Sequence, residues 1–327
     1  MSIFLINPYI LVAPELTPTY GWSSGGIGTG LNTKSTVSRV EFASETYTPS
    51  VRGPLNTRRS YHSAFGNNFK GLLACGSIQN DVGSAAGTST VTKIIYSNDT
   101  VTSSDSGFMT YTRLQPMSSG NDTHGWWSGG FFPRTTPNAE TSRKTWATDT
   151  EVGVERGSLT VPRGGGEAVT DTENYGWYGG GTTRLSGTGL GTRYSTVDRL
   201  DYSNDTAEML VRGPLSNSPN SPATTWSQEY GWWYGGGTPG ASSSISRIEY
   251  ANDTATALRR ANLPDNVEQS FSHGITDLTT YGWVLGGTTS IRSIGYRLIY
   301  ASDTTTPDTY DMLPADAYSG SSSFGVI

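Results

Sequence analysis

Residues 230–254 read YGWWYGGGTPGASSSISRIEYANDT, and this pattern recurs along the chain with recognisable variation. The stretch opens on Tyr-Gly-Trp, continues to consecutive glycines, and ends on an aromatic residue followed by Asn-Asp-Thr. The clear copies of the opening triplet, one of which has His in place of Tyr, are residues 20–22, 124–126, 175–177, 230–232 and 281–283. A degenerate copy, Lys70-Gly71-Leu72, completes the series, so the central glycines lie 50 to 55 residues apart. This spacing predicts six repeated units.

A second set of positions repeats in the same six units. An aromatic residue ends a short β-like run in each unit: Phe42, Tyr96, Trp146, Tyr202, Tyr250 and Tyr300. A basic residue stands three positions before each aromatic and an acidic residue three positions after it, as Arg247 and Asp253 do in the fifth unit. The agreement at several offsets indicates one structural element repeated six times.

Each unit has the local pattern of short strands. Runs of four to eight residues rich in Val, Ile, Tyr and Trp are separated by Gly, Pro or Asn-Asp, which favours strands joined by tight turns. About four strands in about 50 residues is the size of one propeller blade. We therefore predict an all-β, six-bladed β-propeller over residues 19–327. The predicted repeat starts are near residues 20, 70, 124, 175, 230 and 281.

The two ends of the chain carry different predictions. Residues 321–327 include Phe324-Gly325-Val326, which is similar to the small-residue strand that precedes later Tyr-Gly-Trp triplets. We expect this C-terminal strand to complete the first blade and close the ring. Residues 1–18 precede the units and form an apolar N-terminal arm that packs on its own ring or joins another chain by strand addition. The predicted contact residues of the arm are Phe4, Ile6, Tyr9, Ile10 and Leu11.

Composition disfavours several classes of function. The formal net charge is −6, and only four of the 22 basic residues are lysine, so binding of nucleic acid is not expected. The single Cys75 and the scattered His62, His124 and His273 offer no ligand cluster, so we predict no metal and no cofactor. The apolar residues 3–12 lack a basic flank and are too short to cross a bilayer, so we predict no membrane insertion.

Two resemblances bear on function. The Gly-Gly pair followed by a strand-ending aromatic resembles the kelch repeat. The combination of Tyr-Gly-Trp, Arg-Ile-Glu-Tyr-Ala-Asn-Asp-Thr and Arg-Gly-Pro-Leu resembles repeat proteins of tailed phages of aquatic bacteria, cyanophages especially, and Ile6-Asn7-Pro8-Tyr9 is similar to the start of many virion proteins. This resemblance implies a virion structural protein, either a decoration or a tail or fibre component. The implied partners are other virion proteins or copies of the chain, contacted through the arm, and host surface polysaccharide.

The candidate ligand contacts are the aromatic residues directly after the repeated tryptophan. Three adjacent units carry one there: Trp127, Tyr178 and Trp233. Neighbouring residues of a strand point to opposite faces, and sugar rings stack on exposed aromatic faces, so these residues are a candidate glycan-contact set. The alternative is packing between blades, which is also the role predicted for the repeated tryptophans. For the repeated bases and acids we expect blade-to-blade ion pairing or turn bonding.

Catalysis is not favoured. The three histidines lie at unlike offsets in different units, so no nucleophilic triad is assembled and no catalytic residue is nominated. The segment 103–111 resembles the Asp-box of sialidases, which keeps a propeller glycosidase as a third hypothesis. The second hypothesis is a glycan-binding lectin that is free or at the cell surface, and thus extracellular rather than part of a virion. Cys75 occupies a Gly-Gly position and is predicted to be a small buried residue.

Overall fold

The architecture is an all-β, six-bladed β-propeller, as predicted. The computed structural model describes residues 18–28, 33–43, 50–78, 87–132, 135–148, 150–184, 191–238, 240–264, 273–286, 294–311 and 324–326. These residues form six four-stranded antiparallel sheets, one for each blade. Helical structure within the described ranges consists of single 3-10 turns, at Tyr96–Asn98, Tyr202–Asn204, Tyr250–Asn252 and Tyr300–Ser302.

Strands are numbered β1 to β26 in chain order, and the N-terminal half supplies the first three blades except for the last strand, β26, which belongs to blade 1. Blade 1 consists of β1 (Tyr20–Ser24), β2 (Val37–Glu41), β3 (Ser50–Val51) and β26 (Phe324–Val326). Blade 2 consists of β4 (Ser63–Gly66), β5 (Lys70–Ala74), β6 (Thr88–Ile95) and β7 (Ser104–Arg113). Blade 3 consists of β8 (Met117–Gly120), β9 (His124–Ser128), β10 (Thr141–Thr145) and β11 (Val154–Arg156).

The C-terminal half supplies the other three blades. Blade 4 consists of β12 (Glu167–Thr170), β13 (Tyr175–Gly179), β14 (Val197–Asp201) and β15 (Leu210–Arg212). Blade 5 consists of β16 (Ala223–Trp226), β17 (Tyr230–Tyr234), β20 (Ser244–Glu249) and β21 (Leu258–Asn262). The short hairpin β18 (Gly237–Thr238) and β19 (Gly240–Ala241) connects its middle strands. Blade 6 consists of β22 (His273–Thr276), β23 (Tyr281–Leu285), β24 (Ile294–Ile299) and β25 (Asp308–Asp311).

The last strand of the chain completes the first blade. Strand β26 pairs antiparallel with β1 through Tyr20↔Val326, Gly21↔Gly325 and Trp22↔Phe324. This pairing confirms the predicted closure and covers an edge of β1 that would otherwise present unpaired backbone groups. The predicted contact residues of the arm lie outside the described residues: Phe4, Ile6, Tyr9, Ile10 and Leu11.

Within each blade, the second strand begins at the start of a repeat unit. It carries the Tyr-Gly-Trp triplet or its variants, His-Gly-Trp in blade 3 and Lys-Gly-Leu in blade 2. The third strand ends just before the closing aromatic, so that in blade 5 Trp232 lies opposite Arg247. The closing aromatic opens the 3-10 turn in four of the described units. The Asn-Asp-Thr segment therefore belongs to a 3-10 turn between the third and fourth strands. We call the end of the ring that carries these turns, together with the inner turn at residues 67–69, the turn face.

Backbone hydrogen bonds near the ring axis join four consecutive blades. Tyr61, Gln115, Gly165 and Ser221 precede the inner strands of blades 2 to 5, and all four have a left-handed backbone with φ between 49° and 66°. The amide of Gln115 donates to Tyr61 O at 2.7 Å, that of Gly165 to Gln115 O at 3.1 Å, and that of Ser221 to Gly165 O at 2.5 Å. These bonds tie each blade to the previous one independently of side chains.

Candidate functional site

The repeated polar residues form a bond between neighbouring blades. At the junction of blades 3 and 4, Trp126 Nε1 donates to Asp205 Oδ2 at 2.8 Å, and Tyr202 stacks on Trp126 with ring centroids 4.2 Å apart. Arg143 and Arg156, from the blade that holds Trp126, also bind the Asp205 carboxylate, at 2.9 and 3.1 Å. The equivalent tryptophan–aspartate pairs are Trp22–Asp99, Trp177–Asp253 and Trp232–Asp303. We call this arrangement the inter-blade lock.

The lock explains why a base, an aromatic and an acid recur at fixed offsets. Each aspartate lies at the end of a 3-10 turn and points back to the preceding blade, where it accepts charge-assisted hydrogen bonds. The arginine of the third strand also covers the tyrosine of the triplet, as Arg199 does over Tyr175 at 4.3 Å from the ring centroid. The prediction of blade-to-blade ion pairing is therefore confirmed for the pairs described.

The three residues predicted to contact glycan are placed inside the ring. Trp127, Tyr178 and Trp233 are 0%, 0% and 1% exposed. Trp127 donates its indole N–H to the carbonyl oxygen of Ser63, and Trp233 donates to that of Glu167, each in the preceding blade. The assignment is thus corrected: propeller blades pack against a neighbour on both faces, so alternation along a strand moves a side chain from one interface to the other rather than to solvent.

Cys75 is placed as predicted. It is fully buried and has φ of +65°, like the glycines at the same position of other blades, such as Gly129 and Gly180. Burial raises the pKa of the Cys75 thiol to about 11, so the thiol stays protonated at neutral pH. Residues 104–111 of the Asp-box-like segment lie in β7, the outermost strand of blade 2.

The ring axis holds titratable groups that burial keeps uncharged. Glu167 and His273 line a narrow axial cavity together with Phe65 and Trp226, whose ring centroids are 5.9 Å apart. Burial raises the pKa of Glu167 to about 8 and lowers that of His273 to about 3, and it also lowers the pKa of His62. Among the described residues, no group of three or more His, Cys, Asp or Glu could hold a metal ion.

A cleft on the turn face is a candidate binding site. Its volume is about 690 Å³, within the range of small-molecule sites. Residues from blades 1, 2 and 3 line it: Tyr20, Trp22, Arg39, Asn67, Asn68, Phe69, Lys70, Ile95, Tyr96, Ser97, Trp146 and Ala147. Among the described lining residues, five are aromatic, two are amides and two are cations, and none is a carboxylate.

The cleft lies where the repeat departs from its own pattern. Phe69 is 73% exposed, whereas the residues at its position in the other units are polar: Thr19, Thr123, Asn174, Glu229 and Thr280. Leu72 replaces the tryptophan of the triplet, and Lys70 replaces the tyrosine and donates to the Trp146 carbonyl oxygen at 2.6 Å. Sequence reasoning missed this site, although the degenerate second triplet was its signal.

Comparison with known proteins adds no family to these observations. No protein-family model matches the sequence, and the search of curated proteins also finds no match. Within the described ranges, no helix has the length and apolar character needed to cross a membrane.

Proposed function

We propose that the chain is a non-enzymatic structural protein of a phage particle, in its decoration, tail or fibre, and that it contacts host surface glycans. The observation that carries the proposal is the inter-blade lock. The repeated charged residues are bound to one another across the junctions, as Asp205 is to Arg143 and Arg156, so they serve the rigidity of a closed ring. Such a ring is a scaffold that presents its faces to partners.

The likeness to phage repeat proteins supports the virion setting. The apolar arm, residues 1–18, is the proposed connector to other virion proteins or to copies of the chain, by strand addition. Fold alone carries no function, so the arm and the surface of the ring must supply the specificity.

The lining of the turn-face cleft supports binding rather than hydrolysis. Glycosidases generally use two carboxyl groups that flank the scissile bond. The described residues of this cleft include aromatic rings and the amides of Asn67 and Asn68, but no acid. Glu167 lies instead in the narrow axial cavity.

Labelling of particles tests the proposal. An antibody to this chain is applied to purified particles and to cells of the source, and gold label is located by electron microscopy. Label at a regular position on particles is the expected result, with the chain present in stoichiometric amounts by quantitative mass spectrometry. Bare particles with label on cell surfaces or in the medium would replace the virion proposal with the free lectin.

A further inference from the structure

We propose that the turn-face cleft binds a neutral pyranose ring, with Phe69 as the stacking platform and the Asn68 amide as a hydrogen-bonding group. Only the source of the sugar, a host-surface polysaccharide, rests on the proposed function. The binding site itself is argued from the exposed aromatic residue, the preformed turn that carries it, and the charges of the lining.

The aromatic platform is Phe69. A pyranose presents an apolar face of C–H groups, which packs against an aromatic ring. The Phe69 side chain is 73% exposed, and Ile95, which is 39% exposed, continues the apolar surface into the cleft. An exposed phenylalanine adds little to folding, and the other five units have a polar residue at this position, so the ring structure does not require it.

The turn that carries Phe69 is fixed before any ligand arrives. Asn67 Oδ1 accepts hydrogen bonds from the amides of Phe69 and Lys70, at 3.0 and 3.1 Å. This Asx-type turn sets the backbone of residues 67–70 and places Asn68 at the rim of the cleft, half-buried. The Asn68 amide can both donate and accept, which matches the hydroxyl groups of a sugar. A preorganised site loses less entropy on binding.

The charges of the lining favour a neutral ligand. Arg39 donates to Asp99 at 3.2 Å and covers Tyr20, while Lys70 donates to the Trp146 carbonyl oxygen. The cations are thus engaged by the protein, and none of the described lining residues is an acid, so within this part of the chain neither an anionic nor a cationic sugar has a matched partner. The amides in the lining distinguish the site from a purely apolar groove.

The junction of blades 2 and 3 explains why the cleft forms at this place. At other junctions the closing aromatic stacks on a tryptophan, as Tyr96 does on Trp22. Leu72 offers no indole ring at the equivalent position, and the closing aromatic of blade 3, Trp146, donates its Nε1–H to Asn121 O at 2.7 Å. Trp146 then forms one wall of the cleft.

Saturation-transfer NMR with the purified full chain tests the site. The probes are methyl glycosides of glucose, galactose, mannose, N-acetylglucosamine and rhamnose, followed by titration of the best one. The wild type should bind at least one of them, and Phe69→Thr, the residue found in three other units, should weaken it about fivefold to tenfold through loss of the stacked face. Asn68→Ala should weaken it to a smaller degree. Phe108→Thr, another exposed phenylalanine in blade 2 and outside the cleft, should leave binding unchanged.

Two results would overturn the pyranose site. One is binding to none of the glycosides, including the case in which only an apolar probe such as benzyl alcohol binds. The other is sugar binding that Phe69→Thr leaves intact. The assay needs no particle, so sugar binding by a chain absent from virions would remove the virion proposal alone. Labelled particles whose protein binds no sugar would remove the pyranose site alone.

Discussion

Replacing Asp205 by alanine should lower the free energy of unfolding by more than substitutions near a protein surface usually do. Asp205 is 6% exposed, accepts hydrogen bonds from Trp126 and Arg143 at 2.8 and 2.9 Å, and forms an ion pair with Arg156 at 3.1 Å. Removing one partner of a buried ion pair lowers the free energy of unfolding by about 3–5 kcal/mol. The two arginine side chains keep exposures of 22% and 19% and can regain water, so we expect the lower end, about 3 kcal/mol.

Thermal unfolding measures this effect. At roughly 2 °C per kcal/mol for a large domain, Asp205→Ala should lower Tm by about 6 °C at matched scan rate. Asp122, an exposed aspartate in a neighbouring turn, is the control, and Asp122→Ala should change Tm by less than about 1 °C. In a double-mutant cycle, the losses of unfolding free energy caused by Trp126→Phe and Asp205→Ala should sum to about 1 kcal/mol more than the loss in the double variant. Equal Tm values for Asp205→Ala and Asp122→Ala would refute the stabilising role of the lock.

Three further predictions follow from closure and burial. Deleting residues 321–327 should remove the β26–β1 pairing and yield an unfolded or oligomeric protein; unchanged melting and a monodisperse profile in size-exclusion chromatography would contradict this. Cys75 should resist a thiol reagent at pH 8 in the native protein and react fully in denaturant, since burial raises its pKa to about 11. In the folded protein the pKa of Glu167 is about 8, above its ordinary value of about 4.5, so unfolding releases a proton between these two pH values. The free energy of unfolding should therefore fall as pH rises through this window, by at most about 1.4 kcal/mol per pH unit. Tm measured from pH 5 to 8 should fall less steeply for Glu167→Gln, and an identical slope would contradict a neutral carboxyl at Glu167.

The fold was predictable because one bond recurs from junction to junction. Trp177 reaches Asp253 in the same way as Trp126 reaches Asp205, so the tryptophan and the acid keep nearly fixed offsets in the sequence. The closing strand was predictable for a related reason: the sequence before Tyr20 has no obvious version of the small-residue strand, and Phe324–Val326 has the matching pattern.

The candidate site was not predictable in the same way. Strand alternation correctly separated Trp127 from its neighbour Trp126, but it does not distinguish exposure to solvent from the alternative, packing between blades, which the burial of Trp127 supports. The cleft consists of residues that break the repeat, and an interpretation based on recurrence assigns them no role. Its walls also come from three neighbouring blades, so the shared lining by Tyr20, Phe69 and Trp146 depends on how these blades pack and not on any spacing in the chain.

The closed ring explains how one junction between blades can serve ligand binding instead of stability. Strand β26, the last strand of the chain, pairs within the first blade and closes the ring. A single junction therefore cannot open without disturbing the other blades, so blade 2 can carry Leu72 in place of a tryptophan. A substitution that weakens binding in the cleft should then leave the stability of the ring unchanged. Phe69→Thr should change Tm by less than about 1 °C, as an exposed substitution does, and should add independently to Asp205→Ala, which lies in another junction. Circular dichroism melts of the single and double variants test this. A double variant whose Tm departs from the sum by more than about 1 °C would show that the cleft also supports the ring, because additivity of distant sites holds within about 0.5 kcal/mol.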